Sequence, residues 1–157
     1  MRRNRRRFSK RKKIKFMPGK KLNLSILSPE KPVVQNMAVD FVALPAYEGE
    51  MGILPGHTKA VVQLSAGILH YTDNGARSEF AIFGGFAEVF KDDVFVFAEE
   101  AALESEINLE EERQKAAKAK ASLSAKGADI NIELAEIELK AALLKMKLKN
   151  RGGRNAG

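Results

Sequence analysis

From Leu22 to Ala98 the chain is a succession of short runs rich in Val, Ile, Leu and Phe, each bounded by turn residues at the spacing of an all-β sandwich or barrel. Leu22, Leu24 and Ile26 alternate with Asn23 and Ser25, which predicts a half-buried strand. Val39, Phe41 and Ala43 form one face opposite Asp40, Val42 and Leu44, and the run from Val94 to Ala98 reads as buried on both sides. Turn residues punctuate the pattern at positions 28–30, 45–46, 65–67, 73–75 and 91–93. Asn74-Gly75 is the strongest hairpin signal, because both central positions of a type I′ turn need positive φ; it predicts Phe80 to Ile82 paired back on Leu69 to Thr72. In the stretch from Phe80 to Phe86, the pair Gly84-Gly85 marks a bulge or a close backbone approach.

At Glu99 the composition turns to Ala, Glu, Lys and Leu, the residues of long helices. Asn108 and Glu111 form a capping box that predicts a helix from Leu109 to Ser124. Gly127 is placed to end it in a left-handed conformation and Asp129 to cap a second helix. In that helix Ile130, Leu134, Ile137, Ala141, Leu144 and Leu148 recur at steps of four and three, flanked by Ile132, Leu139, Leu143 and Met146. This face is too wide for a lone helix in water. The first helix offers Ala116, Ala117, Ala119 and Ala121, which permit close approach but contribute little apolar area. The expected fold is β + α, an N-terminal antiparallel β-sandwich followed by a C-terminal antiparallel two-helix hairpin. Its divisions are a basic arm over residues 1–21, the sandwich over 22–104, the hairpin over 105–150 and a flexible tail over 151–157.

Charge changes the picture at one end. The net charge of +7 is the sum of +12 on residues 1–21, which hold no acid, and −5 on the rest of the 157-residue chain. The arm is too charged and too poor in apolar residues to offset the entropy of ordering, and is expected to be disordered. The absence of cysteine removes disulfides and thiolate chemistry. No run approaches the roughly 18 apolar residues of a spanning helix.

The densest motif is Gly49-Glu-Met-Gly-Ile-Leu-Pro-Gly-His57, three glycines, a proline and a histidine in what reads as a loop between apolar runs. His57 after Pro55-Gly56 fits a base or a ligand, but the only other histidine is His70 and a metal site would need carboxylates; a structural or interface role is the plainer reading. No catalytic residue and no metal ligand is assigned. Ser65, Ser78 and Ser122 lie in no nucleophile context, and neither Gly49-x-x-Gly52 nor Gly84-Gly85 has the ending of a phosphate loop. Glu48 and Glu50 are either an acid pair or simply solvated carboxylates. The arm fits phosphate contacts, which would make this a small nucleic-acid-binding protein, or a solvated tract preceding a start at Met17; the strands lack the aromatic and basic interleaving of stacking platforms.

Leu44-Pro45, the 49–57 motif, Leu64-x-x-Gly67, Phe80-Ala-x-x-Gly-Gly-Phe86, Glu88-Val89 and Val94-x-Val96, followed by an Ala/Glu-rich two-helix tail, resemble the epsilon subunit of F-type ATP synthase in order and spacing. The resemblance runs from Leu22 to about Leu148. It implies a sandwich of about ten short strands, with Gly52, Pro55, Gly56, Gly84 and Gly85 as its structural marks. The subunit would be non-catalytic and seated on the central stalk, with His57 near the gamma subunit. Tyr47, Glu48, Gly49, Glu50 and Met51 would face the membrane rotor ring. A mobile hairpin (Asn108, Glu111, Gly127, Asp129) would brake ATP hydrolysis in an extended state, where Lys140, Lys145, Lys147, Lys149 and Arg151 meet acidic surfaces of the catalytic alpha and beta subunits. The implied location is the cytoplasmic face of a bacterial plasma membrane rather than a plastid thylakoid, with membrane association only through the complex. Some relatives hold ATP through an Ile-Asp-x-x-Arg pattern and further arginines. Here that stretch reads Ile107-Asn108-Leu-Glu-Glu111 and the later positions are Leu134 and Ala141, so no cofactor is expected. Lys59 stands where proline is common, and the arm has no counterpart. Calorimetric titration of the isolated chain with micromolar ATP should accordingly show no binding heat.

Overall fold

The computed structural model describes residues 19–125, 127 and 129–155. The basic arm, apart from its last residues, and the alternative start at Met17 lie outside them. Where the description begins, Lys20 pairs with Asp92 at 2.8 Å and Lys21 binds Asp73 and Asp40, so the end of the expected arm is tied to the sandwich.

Eight strands follow: β1 (Leu22–Leu27), β2 (Pro32–Val39), β3 (Phe41–Ala46), β4 (Gly49–Ile53), β5 (Ala60–Gln63), β6 (Gly67–Asp73), β7 (Ala76–Phe90) and β8 (Asp93–Leu103). The last two are long because each serves both layers. β6 pairs with the first half of β7 and β5 with the second, while β1 pairs with the first half of β8. One layer is therefore β2-β1-β8-β7-β5 and the other β8-β7-β6-β3-β4, five segments each, which is how eight strands supply the expected ten. All pairings are antiparallel except β1 with β8.

β7 changes layer at Gly84 and Gly85, whose φ angles are +67° and +97°. A Cβ on Gly85 would stand 2.0 Å from the carbonyl oxygen of Phe97, so only glycine lets the two long strands close here. The ladder skips one pair at this corner, passing from Phe83 opposite Glu100 to Gly85 opposite Ala98. The in-out alternation shifts with it: Ile82 and Ala87 enter the core, whereas Phe83 and Phe86 both face outward. Between the layers lie Leu22, Leu24, Ile26, Val39, Val42, Leu44, Ile53, Leu69, Ile82, Val89 and Val94, all excluded from water.

Several expectations are corrected. Asn74 (φ +49°) and Gly75 (+82°) do form the predicted turn. Its two-residue length fixes Asp73 opposite Ala76, however, so Phe80 to Ile82 pair with Leu69 back to Gly67. Pro45 and Ala46 finish β3, and the turn is at Tyr47 and Glu48. The first five residues of the 49–57 motif are strand β4 rather than loop. The residues from Glu99 to Leu103, helical by composition, extend β8, because pairing with Phe80 to Phe83 overrides local propensity.

After a short 3₁₀ turn (Glu104–Glu106), α1 (Leu109–Ser124) and α2 (Ile132–Asn155) form the hairpin. Asn108 caps α1 as read, accepting from the amides of Glu110 (3.1 Å) and Glu111 (3.4 Å); the Glu111 carboxylate accepts from the Asn108 side-chain amide at 3.1 Å. The end of α1 is at Ala125, which is extended, and not at Gly127. Asn131, whose side chain accepts from the Leu134 amide at 3.0 Å, begins α2 in place of Asp129. The helix also continues past residue 150, where a flexible tail was expected. The seam is displaced as well: Ala135 and Ala142 are buried in α2 and Ala116 and Ala119 in α1, while Leu134 and Ile137 are at least half exposed. Alanine against alanine gives the closest helix approach, which leaves the larger residues of α2 free to pack elsewhere.

Gly85→Ala should lower unfolding free energy in urea by about 3 kcal/mol or more, since a backbone oxygen must move. Gly75→Ala, also at positive φ but with open space around it, should cost only about 1 to 2 kcal/mol.

Candidate functional site

The 49–57 motif has a turn at each end of β4, and the two turns lie at opposite ends of the sandwich. At one end Tyr47, 74% exposed, and Glu48 form the β3–β4 turn, with Gly49 at φ +131°. The Tyr47 amide donates to Gln63 at 3.0 Å and Ala46 bridges to Leu64, so β5 braces this turn. Between them lies a groove of about 480 Å³ lined by residues 46–51 and 60–63, with Glu48 and Glu50 exposed on its rim. Met51 is half-buried against the core, and Gly52 leaves room for the ring of Phe41.

At the other end Pro55 and Gly56 (φ +80°) form a turn held by Asp92, whose carboxylate accepts from the Gly56 amide at 3.0 Å. Lys20 and that amide hold the Asp92 carboxyl below its ordinary value. The His57 amide donates to Leu54 at 3.1 Å and its Nδ1 lies 2.6 Å from the Thr58 carbonyl oxygen. His57 is thus not grouped with Tyr47, Glu48 and Glu50.

Each sheet also carries a cluster of apolar side chains on its outer face, among polar ones such as Glu88 on the first layer and Glu79 on the second. On the first layer Phe86 and Phe90 of β7, Phe95 and Phe97 of β8 and Val61 of β5 form a patch that none of the described residues covers. Phe86 stacks on Phe97 at 4.9 Å between centroids, and Lys59 and Lys91 sit over Phe90 at 5.2 and 5.4 Å. Val61 is 72% and Phe86 47% exposed. The run from Val94 to Ala98, expected to be buried on both sides, is buried on one: Val94, Val96 and Ala98 point inward and the phenylalanines outward, as the alternation of small and large residues signals.

The outer face of the second layer is covered by the hairpin. Leu144 and Leu148 of α2 pack on Ile68, Ala81, Phe83, Ala102 and Ile107. Three ion pairs surround this contact: Lys145 with Glu100, Lys149 with Glu104 at 3.2 Å, and Arg151 with Glu79 at 3.2 Å. Lys145 also lies over the Phe83 ring at 5.3 Å. Of the basic residues picked out in α2, Lys145, Lys149 and Arg151 bind the sandwich, whereas Lys140 and Lys147 face solvent.

The family model described as "ATP synthase, Delta/Epsilon chain, beta-sandwich domain" matches residues 21–104. The chain belongs to this family. An ATP synthase epsilon chain of Elusimicrobium minutum is 58% identical over 109 residues, 69% of this chain and 81% of that one. The epsilon chain of Desulforamulus reducens is 39% identical over 82% of this chain and 97% of its own length. Among solved structures, a chain of the Euglena gracilis mitochondrial ATP synthase (OSCP/F1/c-ring) superposes with a TM-score of 0.69 at 25% identity, covering 90% of this chain and 96% of that one. Membership in the epsilon chains of ATP synthase accounts for the order of the motifs from Leu44 to Val96.

The three ion pairs are partly exposed and each contributes about 0 to 1 kcal/mol, less at high salt. Lys149→Ala combined with Arg151→Ala should speed hydrogen exchange of α2 amides about 3- to 30-fold at low salt, and leave exchange in β1 and β8 unchanged.

Proposed function

We propose that this chain is a non-catalytic central-stalk subunit of a proton-translocating F-type ATP synthase, holding the gamma shaft to the membrane rotor ring. The observation that carries the reading is the uncovered phenylalanine face. An apolar sheet face of this kind marks a protein interface, and it lies on the layer that the hairpin does not cover. Gamma takes that face, a wider surface than His57 alone. The Tyr47–Glu48 turn, braced on β5 and carrying Glu50, meets the ring of c subunits at one end of the sandwich. In that position the subunit performs no chemistry; it transmits torque between the ring and the shaft, at the cytoplasmic face of the membrane.

The hairpin supplies regulation. Docked by two leucines and three ion pairs, it is held by a few kcal/mol, an amount that a competing surface can offset. Released, α2 presents Lys140, Lys145, Lys147 and the exposed Leu134 and Ile137 to the catalytic alpha and beta subunits and slows ATP hydrolysis.

Two measurements test these readings. The full chain should co-purify one to one with its cognate gamma subunit in high salt, and Phe86→Asp or Val61→Asp should lower that affinity at least tenfold without changing the melting temperature. Nucleic acid retained in a salt-sensitive way, with no gamma complex, would point instead to the arm as the functional part. In the assembled enzyme, removing the residues after Glu104 should raise the ATP hydrolysis rate; an unchanged rate would end the regulatory reading.

A further inference from the structure

The chain holds two histidines and no cysteine, so few side chains can change charge between pH 5 and 8. His57 lies in the far turn. His70 is on β6, only 8% exposed, on the outer side of the second layer where the end of α2 lies. Directly opposite it on β7 is Glu79, whose carboxylate receives Arg77 at 2.7 Å and Arg151 at 3.2 Å. On β3 the ring of Phe41 is 5.7 Å away between centroids, and β4 contributes the carboxylate of Glu50. From α2 the neighbouring charges are Arg151 and Lys147, which line a groove of about 360 Å³ together with Glu50 and Leu144.

We propose that His70 is a proton-operated release for the hairpin: neutral, it leaves Glu79 to Arg77 and Arg151, and protonated, it becomes a third cation around that carboxylate and displaces Arg151. The inference rests on the reading that the hairpin is mobile. Burial first, and then Arg77, hold the imidazole below its ordinary value; Glu50 and Glu79 oppose this, and Arg151 adds to the lowering. Departure of α2 removes Arg151 and lets water approach, so the value rises on release. A base whose value is lower in the docked state supports docking fully above its released value. That support is lost as pH falls below it, by at most about tenfold per pH unit. Because Glu50 opposes the lowering and also lies at the start of β4 just after the turn assigned to the rotor ring, a ring contact that draws this carboxylate away would favour the docked hairpin.

The absence of cysteine allows unique labels at Ala76→Cys and Glu138→Cys in the full chain. The distance between them, measured at about pH 8 and about pH 5.5, gives the populations of docked and released hairpin. The docked-to-released ratio should fall several-fold, up to about tenfold, by about pH 5.5. His57→Asn should keep that fall, His70→Asn should abolish it, and Glu50→Gln should move it to lower pH. The imidazole proton resonances of His70 in the unlabelled chain, which need no variant to fold, should titrate below the ordinary histidine value. Should His70→Asn retain the wild-type fall, or high salt but not acid release the hairpin, the inference is overturned while hairpin mobility stands. Release by neither salt nor acid would remove both.

Discussion

The contact between Gly85 and the carbonyl of Phe97 is the constraint from which the rest of the molecule follows. Two long strands turn a corner together there, at a separation that any side chain on Gly85 would forbid. The turn carries β7 and β8 from one layer to the other, so that a single ladder forms part of both sheets and closes one core between them. It also shifts the alternation by one residue, which sends Phe83 outward on one layer and Phe86 outward on the other. The two outer apolar faces are thus products of the same corner.

These faces meet different fates. One is covered by the chain's own α2, through Leu144, Leu148 and a ring of partly exposed ion pairs. The other, with four phenylalanines, has no cover from the described residues. Intramolecular docking of this modest size is reversible by construction: a fully buried leucine contributes about 1.5 to 3 kcal/mol and an exposed ion pair about 1 kcal/mol or less. The alanine seam between α1 and α2 acts in the same direction, because it holds the helices to one another without using the large side chains that bind the sandwich.

Much of this was legible in the residues. The Asn74-Gly75 hairpin, the glycine corner and the Asn108 cap rest on local backbone requirements that few residue types satisfy, and each occurs where it was read. What failed was decided at a distance. Residues 99–103 have helical composition but are strand because β7 lies beside them. Leu134 and Ile137 have core-like spacing, yet they are exposed because α1 offers alanines to a different stripe of α2. Asp129 and Asn131 are equally good caps in isolation, and where the helix starts chose between them.

The sequence by itself determined the fold class, the family, the Asn74-Gly75 turn and the start of the first helix, since these depend on periodicity and on steric rules that act within a few residues. Only the tertiary structure decided which apolar face is covered, that Tyr47 and His57 stand at opposite ends of one strand, and that Lys145, Lys149 and Arg151 are engaged with Glu100, Glu104 and Glu79. Those facts depend on where side chains far apart in the chain come to lie, and pairing energies at such separations leave no periodic trace in the sequence.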